Sequence, residues 1–121
     1  MPKPTGPTNP VLRGLIRRLR EHGKEHKARI WLDLAERLEG PRRQRAGVNL
    51  STLNRYTSRE SVVVVPSKVL AAGRLGHPIS VAAFKFSHAA RRKIVEAGGS
   101  VLTIPQLLEQ NPSGKGVILM E

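Results

Sequence analysis

Arg42-Arg43-Gln44-Arg45 sets three guanidinium groups within four residues, between Pro41 and Ala46-Gly47. Each guanidinium is a planar fork of donors that can grip a phosphate with two parallel bonds, and it sheds water more readily than an ammonium. No acid and no apolar periodicity interrupts the run, so it reads as an exposed loop suited to phosphate and shape contacts. The alternative is a solvated basic loop without a ligand. Arg13, Arg17 and Arg20 recur at steps of four and three, on one side of a helix. They form either a second phosphate-facing stripe or a solvated face, with Glu21 and Glu25 near enough to pair with Arg17, Arg18 or Lys24. Arg91-Arg92-Lys93 spans about 200° of a helix, so the three cannot all turn inward. Arg55, Lys68 and Arg74 complete the candidate cations.

Other chemistries find weaker footing. His22 and His26 are four apart, as zinc-binding helix pairs can be, but Gly23-Lys24-Glu25 between them is not the Glu-x-x of a zincin. No cysteine is present to complete a metal site. Gly114-Lys115-Gly116 is too short for a phosphate-cradling P-loop. Gly73-Arg74-Leu75-Gly76 has the spacing of a nucleotide-clamping KH loop, or is an ordinary turn with one basic residue. Phe84-Lys85-Phe86 lacks the glycine-aromatic surroundings of an RRM strand, which leaves core packing. The nine acids form no paired-carboxylate or Ser/His/acid constellation. The expectation is therefore no catalysis, no metal and no cofactor.

Charge sets the class of partner. The chain has 121 residues, 21 Lys+Arg and 9 Asp+Glu, for a formal charge of +12. Such an excess repels itself in a compact protein unless a polyanion neutralises it. Nucleic acid does so with release of counterions. A membrane surface is the competitor, but the longest apolar run is residues 62–66, against about 18 needed for a span. The amino terminus has no apolar segment of a secretory signal, and the lack of cysteine suits a reducing compartment. A cytoplasmic protein with no membrane partner is expected. Residues 1–60 hold 14 basic and 6 acidic residues, net +8, and residues 61–121 hold 7 and 3, net +4.

The elements that must position these cations follow from periodicity. Residues 1–8, with three prolines, read as an extended tail, and residues 9–121 as one domain. Asn9 caps a first helix with Pro10 at its first turn. Its apolar stripe is Val11, Leu12, Leu15, Ile16 and Leu19, and Gly23 is its expected stop. Ile30, Trp31, Leu34, Ala35 and Leu38 mark a second helix ending at Gly40-Pro41. The two form a hairpin, which with the basic loop fills residues 9–60. Val48, Leu50 and Thr52 alternate with Asn49, Ser51 and Leu53 as a weak strand, followed by a turn at Asn54-Arg55-Tyr56-Thr57. Residues 61–121 form an α/β core. Residues 62–65 are β-branched throughout, as in a strand buried on both faces. Residues 68–72 are a second strand candidate. Residues 79–86 are a third, with Ala82, Phe84 and Phe86 on one face. Ser87 caps a helix over 88–97 that stops at Gly98-Gly99. Residues 101–103 form a short strand, and Thr103 with Gln106 has capping-box spacing for a helix to about residue 110. Residues 117–120 close as a strand. The fold class is α/β, a helical hairpin and basic loop leading into a strand-rich half.

A family resemblance rests on the segment from Glu36-Arg37-Leu38-Glu39-Gly40-Pro41 through Arg42-Arg43-Gln44-Arg45-Ala46-Gly47-Val48-Asn49-Leu50. Asn54-Arg55-Tyr56-Thr57, Val63-Val64-Val65-Pro66, Lys68-Val69-Leu70, Ser80-Val81-Ala82-Ala83-Phe84 and Ala97-Gly98-Gly99 extend it over nearly the whole chain. Together these resemble the "eighteen-e" family of large-subunit ribosomal proteins, archaeal and eukaryotic relatives of the bacterial "fifteen" protein. The resemblance implies a structural constituent of the large subunit, bound to large-subunit ribosomal RNA beside neighbouring ribosomal proteins. It also implies irregular β-β-α repeats in the C-terminal half, no catalytic residues and no independent homo-oligomer. The short termini suit the archaeal form. Thr52 stands where the family usually has a basic residue, and Ser67 and Ala71 where glycine is common. The RNA-binding candidates are then Arg13, Arg17, Arg20, Arg42, Arg43, Arg45, Arg55, Lys68, Arg74, Arg91, Arg92 and Lys93. Competing readings are a DNA-binding helix pair and an RNA-processing enzyme. The second helix carries Asp33, Glu36 and Glu39, which phosphate would repel.

Overall fold

A computed structural model of the chain describes residues 10–39 and 47–120. The expected tail, the Asn9 cap, the Gly40-Pro41 stop and the basic run at 42–45 lie outside the described residues. Helix α1 is Pro10–Glu25, with Leu12, Ile16 and Leu19 buried at helical spacing. It does not stop at Gly23. A Cβ on Gly23 would come within 2.7 Å of Leu32 Cγ and Cδ2, so this glycine lets the second helix approach. The turn falls instead at Lys27, at φ 52°. Helix α2, Arg29–Glu39, buries Trp31, Leu34, Ala35 and Leu38. The Trp31 indole N–H donates to the Pro112 carbonyl at 2.7 Å, tying the hairpin to the far end of the chain.

Strand β1 is only Val48–Asn49, and helix α3, Leu50–Tyr56, replaces the expected strand and turn. The alternation was too short to decide, and Leu50 and Leu53, three apart, both gain full burial from a helical turn. Strand β2, Val62–Leu70, joins two expected strands across Pro66. Pro66 has no N–H to donate, and the pairing register shifts between Val65 and Lys68 to absorb it. One ladder bond is worth about 1 kcal/mol. Burying each valine contributes about 1.5–3 kcal/mol. Val63, Val64, Val65 and Val69 are all fully buried, so packing wins.

Strand β3, Ser80–Phe86, leads to helix α4, His88–Glu96, whose N-cap Ser87 accepts from the Ala90 N–H at 3.1 Å. Strand β4 is Ser100–Thr103 and helix α5 is Ile104–Gln110. The capping box between them is formed. Gln106 N donates to Thr103 Oγ1 at 3.2 Å and Thr103 N to Gln106 Oε1 at 2.8 Å. Strand β5, Val117–Leu119, follows.

Among the described residues the sheet has five strands, all parallel. β2 pairs with β3 along one edge. Its other edge takes β5 at Val62, Val63 and Val64 and β1 at Val69 and Leu70. β4 lies beyond β3. The hairpin and α5 cover one face around Val64 and Ala82. The opposite face carries Leu50 and Leu53 of α3, Ala90 and Ile94 of α4, and Val63, Val65 and Val81 of the sheet. The valine run is thus buried on both faces, as its composition predicts. Phe86 departs from expectation. Phe84 packs with the hairpin cluster, whereas Phe86, where the chain leaves the sheet for α4, packs with the other. The α/β class of the sequence reading holds.

Candidate nucleic-acid interface

Residues 40–95 contain eleven lysines and arginines and a single carboxylate, Glu60. This stretch includes β1, α3, β2, β3 and most of α4, and its described cations lie on α3, β2, β3 and α4 and in the turns after α3 and β2. The described chain resumes after the basic run at Gly47, with φ +98°. A Cβ there would lie 3.2 Å from the Lys68 carbonyl and 3.1 Å from Leu70 Cδ1. Gly47 thus brings the start of β1 against the carboxyl-terminal half of β2.

Lys68 is exposed between buried Ser67 and Val69. Its register partner on β3 is Lys85, also exposed. Like charges placed directly across neighbouring strands destabilise a sheet. A phosphate group between or beside them reverses the sign of that interaction. Lys85 was missed from sequence, because Phe84-Lys85-Phe86 read only as packing and the register was not visible. Its ammonium lies 5.9 Å from the centroid of the Phe84 ring.

Helix α4 divides its basic triplet. Arg91 and Arg92 are exposed, and the Arg91 guanidinium lies 5.8 Å from the centroid of the Phe86 ring. Lys93 turns half inward and donates to the Ala71 carbonyl at 3.0 Å and the Gly73 carbonyl at 3.3 Å. Its ammonium braces the segment after β2.

That segment links β2 to β3 without a helix, and it docks on α3. Gly73 has φ +91°, and a Cβ on it would meet Ser51 Cβ at 2.4 Å. Ser51 N donates to the Ala72 carbonyl at 3.1 Å, and Gly76 N to Asn54 Oδ1 at 2.9 Å. Thr57 Oγ1 and His77 Nε2 are 2.8 Å apart, and Leu75 is buried. The glycines of Gly73-Arg74-Leu75-Gly76 serve this internal docking, so the KH-type clamp is not what they build. Arg74 keeps an exposed side chain. Arg55 is exposed at the end of α3, with its guanidinium 6.0 Å from the Tyr56 ring centroid.

On α1, Arg13, Arg17 and Arg20 are all exposed. Arg20 pairs with Glu39 of α2, and Arg18 with Glu109 of α5 at 3.6 Å. Both acids come from other elements, and for Arg18 the partner is not Glu21 or Glu25, as helical spacing suggested. Arg13 and Arg17 have no ion pair among the described residues. Exposed pairs contribute about 0–1 kcal/mol, so phosphate can compete for Arg18 and Arg20 as well. Arg17 and Arg18 border a groove of about 670 Å³ lined by Val11, Leu15, Phe84 and Pro105.

The His22 and His26 rings stack at 5.8 Å, and His22 Nδ1 lies 3.0 Å from the Arg18 carbonyl. Among the described residues no three His, Asp or Glu side chains are grouped to hold a metal, and no helix is long and apolar enough to cross a membrane.

Fold and surface define a strongly cationic α/β protein with a wholly parallel sheet among its described residues. The family model for "Ribosomal protein 60S L18 and 50S L18e" matches residues 4–121. The chain is 53% identical to the large ribosomal subunit protein eL18 of Pyrobaculum aerophilum, over 96% of this chain and 95% of that protein. It is 50% identical to the eL18 of Methanopyrus kandleri, over 98% and 97%. It is 46% identical to that of Methanothermobacter thermautotrophicus, over 94% of each. The chain belongs to the L18e family of ribosomal proteins, in its archaeal type, as the resemblance in its sequence implied.

Proposed function

We propose that the chain is a structural constituent of the large ribosomal subunit that binds and stabilises folded large-subunit rRNA through lysine– and arginine–phosphate contacts, without catalysis. As a member of its family it is a ribosomal protein and works in the ribosome, in the cytoplasm. Neighbouring ribosomal proteins are its other partners.

The observation that carries the rRNA reading is the in-register pair Lys68 and Lys85, inside a 56-residue stretch with one carboxylate. A free protein gains nothing from that arrangement, whereas a polyanion turns it into a binding surface. The exposed cations of β2, β3 and α4 lie on different elements held by one core, so they present charge in fixed positions. Such a surface suits phosphate positions on folded RNA better than base-edge readout, because A-form grooves are read mainly through backbone and 2′-hydroxyls. Helix α2 carries Asp33, Glu36 and Glu39 and is poorly suited to entering a DNA groove.

Co-sedimentation tests this. Tagged protein is expected with the large subunit through moderate-salt washes. Recovery only in ribosome-free fractions would overturn the proposal.

A further inference from the structure

Helix α3 has three sides with different tasks. Leu50 and Leu53 face the core. Ser51 and Asn54 meet the segment around Gly73 and Gly76. At about 100° per residue, Thr52, Arg55 and Tyr56 fall on the remaining side, away from both. Tyr56 is 64% exposed there. The other aromatic rings are committed to packing: Trp31 is fully buried, and Phe84 and Phe86 are half-buried against the two clusters. An aromatic ring left in water forgoes the burial that usually stabilises it.

The surroundings say what fits the ring. Helix α3 has no carboxylate, and Arg55 sits next to the ring. A cationic partner would be repelled. An apolar protein surface would need a broad patch, about 800 Å² per partner in a stable interface. Tyr56 is instead a single ring beside Thr52 and Arg55 on that side. A nucleobase matches that width, and its phosphate matches Arg55. The base must be unpaired, since both faces of a base within a duplex are already covered.

We propose that Tyr56 stacks on one unpaired nucleobase of the bound rRNA while Arg55 holds an adjacent phosphate. The inference rests on the rRNA-binding reading above and assigns it a base-contacting residue. Stacking and phosphate contact differ in salt dependence. A phosphate contact releases counterions and sets the slope of log K against log salt. A stacked base adds affinity without changing that slope.

The test measures binding of wild type, Tyr56→Ala, Tyr56→Leu and Tyr56→Phe to deproteinised large-subunit rRNA across a salt series. Alanine and leucine are expected to weaken binding between about fivefold and about 150-fold at every salt concentration, with parallel slopes. Phenylalanine is expected to bind as wild type. Unchanged affinity in Tyr56→Ala overturns the proposal, and so does a leucine variant that binds as well as wild type, since leucine has no π-face. A Tyr56→Ala protein that binds naked rRNA normally but is lost from assembled subunits assigns Tyr56 to a protein neighbour instead. If wild type itself does not bind the rRNA, both this proposal and the reading beneath it fall.

Discussion

Gly73→Ala should damage the protein far more than Gly116→Ala, although both glycines have positive φ, +91° and +77°. A left-handed conformation costs an alanine about 1–2 kcal/mol. That cost is common to the two sites. At Gly116 nothing lies within 4 Å of the added Cβ, so the cost ends there. At Gly73 the new methyl would sit 2.4 Å from Ser51 Cβ and 3.0 Å from the Ser51 backbone. Neither can yield cheaply, because Ser51 is part of α3, and Leu50 and Leu53 anchor that helix in the core. The docking segment must move away. Two bonds then weaken, Ser51 N to the Ala72 carbonyl and Gly76 N to Asn54 Oδ1, each worth about 1 kcal/mol. Gly73→Ala therefore costs about 3–4 kcal/mol, roughly 2 kcal/mol more than Gly116→Ala. Urea unfolding followed by the fluorescence of Trp31, the sole tryptophan, measures both. With an m value of about 1–3 kcal/mol/M the midpoints should differ by about 1 M. Equal midpoints would show that the segment is not held against α3 as described.

Replacing Lys68 and Lys85 with glutamine should raise the melting temperature of the free protein slightly while weakening rRNA binding, because like charges opposed in register repel each other and the proposed interface uses both to hold phosphate. A thermal melt and a binding titration on one preparation check both signs. Lys93→Met removes two bonds to the Ala71 and Gly73 carbonyls and should destabilise by about 1–2 kcal/mol in urea. Its salt slope for rRNA binding should match wild type, because that ammonium braces the fold. Gly14→Ala should stabilise by about 0.5–1 kcal/mol in a thermal melt, since Gly14 lies within α1 with nothing within 4 Å of an added Cβ.

What the sequence disclosed was mostly what a few neighbouring residues decide. Ser87 as a cap and Thr103 with Gln106 as a capping box are local chemistry, and both formed. The valine run needed only composition to be read as buried on both faces. The misses share a non-local cause. Gly23 looked like a helix stop because glycine often is one, but its role is set by Leu32 of the next helix. Residues 48–53 could alternate or coil, and burial of Leu50 and Leu53 chose the helix. Residues 62–65 and 68–72 read as separate strands, and flanking burial joined them across Pro66.

The candidate interface was legible as charge and not as arrangement. The basic run at 42–45 was plain in the sequence. Lys85 became a candidate only once β2 and β3 were in register. The Arg91-Arg92-Lys93 triplet could be split only by seeing Lys93 reach the Ala71 and Gly73 carbonyls. Arg20 found Glu39, and Arg18 found Glu109, across the hairpin and the α5 contact, beyond the reach of i, i+4 counting.

The central claim is that exposed cations at the carboxyl ends of β2 and β3 and on α4 contact rRNA phosphates. Its most direct test is the salt dependence of binding to deproteinised large-subunit rRNA, comparing wild type with a variant carrying Lys68→Gln, Lys85→Gln, Arg91→Gln and Arg92→Gln. Each phosphate contact contributes about 0.7–0.9 to the slope of log K against log salt, so loss of all four should flatten it by about 3. A variant that folds, binds and keeps the wild-type slope would contradict the account.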